Sequence, residues 1–599
     1  MVLIKSLTRR IRFPAELAFV LAAPLLWMAF YNLRFWQEAA AAMWHPSMAS
    51  VLFMASLFVL VLFVQTLLLL FVPRGLLRPI ACVLFIVAAL VAYFSDTYGV
   101  FMDKDMLRNV FATDTAEISG LITGKLFAYV LLLGVAPCLL IFRVDLPDIS
   151  WKHRLKERSV FFVSVLALCL ASLFVLSAAY ASFFREHKPV RYLLNPASAV
   201  YGVVNLLVSE AEGKPDELVD VLGPVTRVGQ GHNQGQNQGQ NQGQNPGHNG
   251  SGHSGFVPIA LANEVGNEAG MRKPIVLFLV IGETARAANF QLGGYGRATN
   301  PELSRLDDLI YFRQTAACGT ATATSLPCIF SVDGRTDFDV DIAKHETNLL
   351  DALSRAGLAV EWRDNNSGCK GVCARVRTID YASKGDSSLC RTSYCYDEDM
   401  LSGVADGLRN LQQDTVIVFH QIGSHGPAYS QRYPPQFEKF KPACHGSRLD
   451  QCSRESVVNA YDNTILYTDH NLAQQIRLLQ SVSDKVDSLL IYVSDHGESL
   501  GENGVYLHGM PYALAPAVQK EVPFMMWLSR AYEQRTGVTE SCLRSRAGAE
   551  YSHDNIFHTV MGAMGVRSPV YQQSLDMFAP CTGAVTMAGT NARLALRAE

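Results

Sequence analysis

Two strand ends in this chain carry side chains that together could hold a metal ion. Residues 489–493 form an apolar, partly β-branched run that breaks at Ser494 into Asp495, His496 and Gly497, the pattern of a buried strand delivering ligands to a loop. A second such run, 274–281, ends in Gly282 and Glu283. Two carboxylates and an imidazole suit a catalytic zinc ion that keeps one position open for a nucleophile. The nucleophile can come from the hydroxyl-rich segment 318–328, which starts and ends in cysteine and places Thr322 inside the loop. A hydroxyl beside zinc loses its proton more readily; the commoner use of such a Thr/Ser run is to cap a helix. His425, after a strand, and His508 add two imidazoles, and Asn366 and Lys370 in a turn-like segment offer contacts for a phosphate.

These residues need a scaffold, and the chain alternates strand and helix from Lys273 onward. Segments 416–422 and 489–493 read as central parallel strands, and 347–356 and 455–481 as helices between strand candidates. That order is the mark of an α/β sheet, which places its chemistry at the carboxyl ends of its strands.

The first third is different. Hydrophobic residues make up 49% of the chain, and five apolar segments, approximately 13–32, 49–72, 79–94, 125–142 and 159–181, precede residue 185. Most approach the ~20 residues a helix needs to cross a bilayer. Lys5, Arg9, Arg10, Arg12, Arg74, Arg78, Arg143, Lys152, Arg154, Lys156 and Arg158 fall on one side of these spans. That side is therefore cytoplasmic, and everything after the fifth span lies outside. The first span reads as a retained anchor, because no small-residue cleavage site clearly follows it. Formal charge is −3, which gives no footprint for nucleic acid.

The expected domains are a five-helix transmembrane domain over 1–184 with an outer loop at 98–124, a bridging segment over 185–272, and a catalytic domain over 273–599. In the outer loop Asn109, Thr113 and Glu117 recur every fourth residue, so on a helix they form a polar stripe. A solvated face of an interfacial helix is the commoner reason for such a stripe. Residues 229–255 are a Gly/Gln/Asn tract able to build no core. Three of the 13 cysteines, Cys82, Cys138 and Cys169, sit in apolar segments. The others include the close pairs Cys318/Cys328, Cys369/Cys373, Cys390/Cys395 and Cys444/Cys452, leaving Cys542 and Cys581. Short-range pairs in a polar domain point to disulfides and an oxidising compartment.

Taken in order, Asn109, Arg185-Glu186-His187-Lys188, Ile281-Gly282-Glu283, Cys318-Gly319-Thr320-Ala321-Thr322, Asp364-Asn365-Asn366, Ser424-His425-Gly426-Pro427 and Ser494-Asp495-His496-Gly497-Glu498 resemble the inner-membrane phosphoethanolamine transferases of Gram-negative bacteria. The resemblance covers nearly the whole chain. It implies a five-helix membrane domain joined to a periplasmic α/β domain of alkaline-phosphatase/sulfatase type. It also implies zinc-dependent transfer of phosphoethanolamine from phosphatidylethanolamine to lipid A or core lipopolysaccharide by a monomeric enzyme, with diacylglycerol released and polymyxin resistance as a consequence. Glu283, Thr322, Asp495 and His496 match the zinc-site positions, with Thr322 as the phosphoryl-accepting nucleophile. His425 and His508 match histidines that hold substrate, aid proton transfer or bind a second zinc. Asn109, Thr113, Glu117, Asn366 and Lys370 match positions that hold phosphoethanolamine. A hydrolase of the same fold and a glycerol-phosphate transferase remain as alternatives, separable by their products.

Overall fold

The computed structural model describes residues 11–12, 15–112, 121–186, 188–212, 218–227, 272–381, 389–390 and 395–582. Thr113, Glu117, His187 and the Gly/Gln/Asn tract lie outside the described residues. The chain forms two compact units. One comprises Met1–Glu212, Arg448–Gln451 and Ser499–Ala515, and the other the remainder.

The first unit is helical: α1 (Glu16–Phe30), α2 (Leu33–Met43), α3 (Met48–Leu70), α4 (Arg74–Tyr98), α5 (Lys104–Ala112), α6 (Gly124–Ile141), α7 (Trp151–Val175), α8 (Ser177–Glu186) and α9 (Ala197–Glu212). Four of them are long and apolar enough to cross a membrane, or up to five when α1 and α2 count as one broken span. The first expected segment, 13–32, corresponds to α1 and ends at a break, where α2 follows at 68°. Asn32 sits at the break and explains it. Its amide donates to Trp27 O at 2.9 Å and to Asn195 O at 2.6 Å, so its side chain competes with helix continuation. The third expected segment gains a turn at its start, with Pro79 inside α4.

The fifth apolar segment begins at residue 159, but its helix α7 starts two turns earlier, at Trp151, capped by the Ser150 side chain. Its basic first turns are helical because their charges have partners: Arg154 Nε donates to Glu16 Oε2 at 2.9 Å, and Arg158 donates to Glu16 Oε1 and to Leu70 O and Val72 O at 2.7 and 2.8 Å. In α6, Val130–Val135 is a π-helical stretch, and Tyr31 donates a hydrogen bond to Leu133 O at 2.5 Å within it.

Residues of Ser499–Ala515 form a small antiparallel hairpin, Ser499–Glu502 with Val505–Leu507, followed by His508, which is buried. Tyr506 and Leu507 pack on a cluster that includes Tyr93, Tyr98, Met106 and Leu107. Gly509 passes so close to α5 that a Cβ there would lie 2.6 Å from Met106 Cε and 3.8 Å from Asn109 Nδ2.

The second unit is built on a sheet of β1 (Ile275–Gly282), β2 (Ile310–Phe312), β3 (Ala359–Asp364), β4 (Arg377–Asp380), β5 (Thr415–His420), β6 (Asp487–Ser494) and β7 (Phe524–Leu528), in the order β2-β7-β6-β1-β5-β3-β4. The five strands from β6 to β4 are parallel, and β7 runs antiparallel to both β6 and β2. Every residue of β1, β5 and β6 is buried, which is why these runs lack alternation. Helices α10 (Thr322–Phe330), α11 (Leu349–Arg355) and α12 (Arg454–Ser481) accompany the sheet. Trp362, Phe330, Leu353 and Val418 belong to one large core, each such side chain contributing about 1.5–3 kcal/mol by burial. Five disulfides staple this unit, Cys318–Cys328, Cys369–Cys373, Cys390–Cys395, Cys444–Cys452 and Cys542–Cys581; the last joins the two cysteines that had no close neighbour in sequence.

Candidate active site

Strand register gathers the chemistry. Ser494 lies opposite Gly282 across β6 and β1, Ile281 opposite His420 across β1 and β5, and His420 opposite Asp364 across β5 and β3. Four strands therefore end level, and the residues that follow them, Asp495, Glu283, Gln421 and Asn365-Asn366, emerge along one edge. Gly497 is required there, because a Cβ would sit 2.0 Å from Val518 O.

Glu283, Asp495 and His496 are fully buried, and each offers a ligand atom within 4.8 Å of the others. His496 Nε2 lies 3.3 Å from Glu283 Oε1 and 3.3 Å from Asp495 Oδ2. That is the edge of a tetrahedron around an ion with bonds of about 2.0 Å, which comes to roughly 3.3 Å. His496 Nδ1 faces Gly497 O at 2.9 Å; donation there leaves Nε2 a lone pair for a metal. Asp495 Oδ1 accepts from the backbone of Thr284 at 3.0 Å and of His496 at 2.7 Å, whereas its Oδ2 is buried with no hydrogen-bond partner. Such an orphaned carboxylate oxygen is costly unless a cation meets it.

The electrostatics agree. Burial, and then the charge of Glu283, push Asp495 well above the usual carboxylate range. Burial alone would lower His496, but Asp495 and Glu283 lift it far above an ordinary histidine. The residues present thus fit a divalent cation of the zinc type.

Thr322 opens α10, so its hydroxyl stands at a helix N-terminus, where the helix dipole favours negative charge. The hydroxyl donates to Glu283 Oε2 at 3.0 Å and lies 3.3 Å from His496 Nε2. Its loop is closed by the Cys318–Cys328 disulfide and pinned from below. Ser325 Oγ donates to Asp495 O at 2.5 Å and accepts from Gly319 N at 3.2 Å, and His553 Nδ1 accepts from Cys318 N at 3.0 Å. Burial lowers His553 to about 4. The ring is neutral, and its Nε2 faces Ser494 O at 2.9 Å.

The structure places Asn366 against the candidate metal cluster: its amide donates to Glu283 Oε2 at 2.8 Å and to Gln421 O at 2.9 Å. Behind it His420 Nε2 lies 3.3 Å from Asn366 Nδ2 and its Nδ1 3.1 Å from Asp364 Oδ2. Lys370 Nζ donates to Ser367 O at 3.0 Å and Ser367 Oγ at 2.8 Å. His425 is buried, its carbonyl accepting from Arg432 Nε at 2.8 Å. His508 and Asn109 belong to the helical unit. Sequence reasoning missed Thr284, Ser325, His420 and His553. Of these only His420 carried a readable signal, as a histidine ending a strand run.

Comparison with known proteins bears on the same regions. Residues 276–566 match the sulfatase family model, and residues 60–211 match the model described as phosphoethanolamine transferase EptA/EptB. The chain is 39% identical over 507 residues to phosphoethanolamine transferase EptA of Salmonella typhimurium, covering 84% of this chain and 85% of that protein. It is 39% identical over 476 residues to phosphatidylethanolamine transferase Mcr-1 of Escherichia coli, covering 78% and 80%. Its structure superposes on the integral membrane lipooligosaccharide phosphoethanolamine transferase A of Neisseria meningitidis with a TM-score of 0.84 and 32% identity, covering 96% of this chain and 99% of that one. With both halves matched in one continuous likeness, the chain belongs to the phosphoethanolamine transferases, integral membrane enzymes whose catalytic domain has the alkaline-phosphatase/sulfatase fold.

Proposed function

We propose that the protein transfers phosphoethanolamine from phosphatidylethanolamine to lipid A or core lipopolysaccharide through a phospho-threonine intermediate on Thr322. The observation that carries this is the convergence of the Thr322 hydroxyl with Glu283, Asp495 and His496 in one buried cluster. The names of its relatives, which act on phosphatidylethanolamine or lipooligosaccharide, support the substrate pair. In this reading the chain is a monomer in the bacterial inner membrane with its catalytic unit in the periplasm, and its activity confers polymyxin resistance.

Glu283, Asp495, His496 and the Thr322 hydroxyl would hold one zinc ion, with His425 or His508 serving a second. When bound, zinc would lower the pKa of the hydroxyl and balance charge developing on phosphoryl oxygens. The Thr322 oxygen attacks phosphorus, its proton leaving along the hydrogen bond to Glu283 Oε2. The phosphorus–oxygen bond to diacylglycerol breaks, and His425 or His508 protonates the departing alkoxide. In the second half the acceptor's phosphate or sugar hydroxyl attacks the same phosphorus, and Thr322 regains its proton. Asn109, Thr113 and Glu117, and separately Asn366 and Lys370, serve donor recognition. Incubation of the purified full chain with phosphatidylethanolamine and lipid A should release diacylglycerol and yield a phosphoethanolamine-bearing lipid A in equal amounts. Release of free phosphoethanolamine without an acceptor product would identify a hydrolase instead.

A further inference from the structure

Thr284 directly follows Glu283 and is fully buried with φ +58. A β-branched residue in the left-handed region is a true outlier and persists only where surrounding contacts impose it. Those contacts are visible on every side. The Thr284 hydroxyl donates to Glu283 Oε1, and its amide donates to Asp495 Oδ1 at 3.0 Å. Its carbonyl accepts from the Tyr461 hydroxyl of α12 at 2.6 Å, and that hydroxyl in turn accepts from Arg286 N at 2.9 Å. The next amide, of Ala285, donates to Ser494 Oγ at 2.8 Å. The turn after β1 is thereby tied to the turn after β6.

The two oxygens of Glu283 are divided between partners. Oε2 receives Thr322 and Asn366, and Oε1 receives Thr284. His496 Nε2 also faces Oε1 at 3.3 Å, so loss of the Thr284 hydroxyl removes one of the donors that together orient the carboxylate.

We propose that Thr284 is a positioning residue that fixes two carboxylates for the metal, its hydroxyl holding Glu283 and its left-handed amide holding Asp495. The proposal rests on reading Glu283 and Asp495 as metal ligands. Outer partners that orient ligands in this way are worth about 10–100-fold in metal affinity. Threonine is kept at a backbone angle that glycine or asparagine would adopt at less cost because neither reproduces a hydroxyl at this distance from its own preceding residue.

The test uses the full-length protein in detergent, titrated with zinc against a chromophoric chelator, alongside thermal unfolding of the metal-free forms. Thr284→Val keeps the branched shape without the hydroxyl, Thr284→Gly relieves the backbone without the hydroxyl, and Thr284→Ser keeps the hydroxyl. Val and Gly should both lose about 10–100-fold in zinc affinity, while Ser stays near the wild-type value. Metal-free Gly and Ser should unfold close to wild type. In turnover with phosphatidylethanolamine, Val and Gly should lower kcat with KM little changed. The proposal is overturned if Val and Gly bind zinc as tightly as wild type, or if Ser loses affinity as Val does, which would indicate packing. Wild-type protein that binds no zinc removes the ligand reading and the proposal with it. An affinity loss confined to the Thr284 variants, with wild type binding normally, leaves the ligand reading standing.

Discussion

The two units bury charge in opposite ways. In the helical unit Glu16 is buried but matched, with Arg154 and Arg158 both donating to its oxygens. In the catalytic unit Glu283 and Asp495 are buried beside one another with His496, and Asp495 Oδ2 has no hydrogen-bond donor. A matched cluster is structure, since removing one partner leaves an uncompensated charge. Two carboxylates crowded around one imidazole are a site, since the fold has tolerated a repulsion between them that a divalent cation would relieve. Burial alone would have ranked the two alike. The units differ also in their cysteines: Cys82, Cys138 and Cys169 of the helical unit are free, whereas five disulfides staple the other.

Substitution at the unmatched cluster has the largest expected effect. Asp495→Asn should cost more zinc affinity than the roughly 10–100-fold expected of an outer partner and should suppress turnover. It should also raise the melting temperature of the metal-free protein by removing one of two like charges. Chelator titration and thermal unfolding check both, and an Asp495→Asn protein less stable than wild type without metal would break the contrast. Glu16→Gln should do the reverse. It strands Arg158 and should destabilise by about 3–5 kcal/mol, read as earlier unfolding of the detergent-solubilised chain, with zinc affinity unchanged.

Disulfides sharpen the second difference. The Cys542–Cys581 link spans 39 residues and Cys318–Cys328 spans 10, so replacing the first pair by serine should cost about 1 kcal/mol more in stability than replacing the second. Activity should fall in the other order, because only the shorter loop carries Thr322. Denaturant unfolding and turnover of the two double variants distinguish these trends.

A smaller effect concerns His558, a buried base whose Nδ1 accepts from Gln572 N at 3.1 Å. Burial lowers it to about 4, opposed in part by Asp554. The unfolded chain therefore binds a proton between about pH 6.5 and 4 that the folded chain refuses, and stability falls as pH drops through that window. His558→Gln should flatten the decline by about 1 kcal/mol between pH 7 and 5.5, measured by unfolding at both values.

Much of this was legible in the sequence because it depends on local pattern. The runs before Glu283 and Asp495 are fully apolar, so they read as buried parallel strands, and helices appeared within a residue or two of 347–356 and 455–481. What stayed hidden depends on long-range geometry. The break at Asn32 is set by Asn195, far along the chain. Thr284 looks like an ordinary residue after Glu283 until its backbone angle and its bond to Asp495 are seen. His553 and Ser325 act by holding backbone groups of the loop that carries Thr322 and of the turn after β6, and no spacing rule announces such a role.

The central claim, that Thr322 carries the phosphoethanolamine group, is tested most directly by mass spectrometry of its tryptic peptide after incubation of the full chain with phosphatidylethanolamine and no acceptor. A phosphoethanolamine adduct should appear on Thr322, disappear when lipid A is added, and be absent from Thr322→Ala together with diacylglycerol release. An unmodified peptide during continued turnover, or transfer by Thr322→Ala at the normal rate, would contradict it.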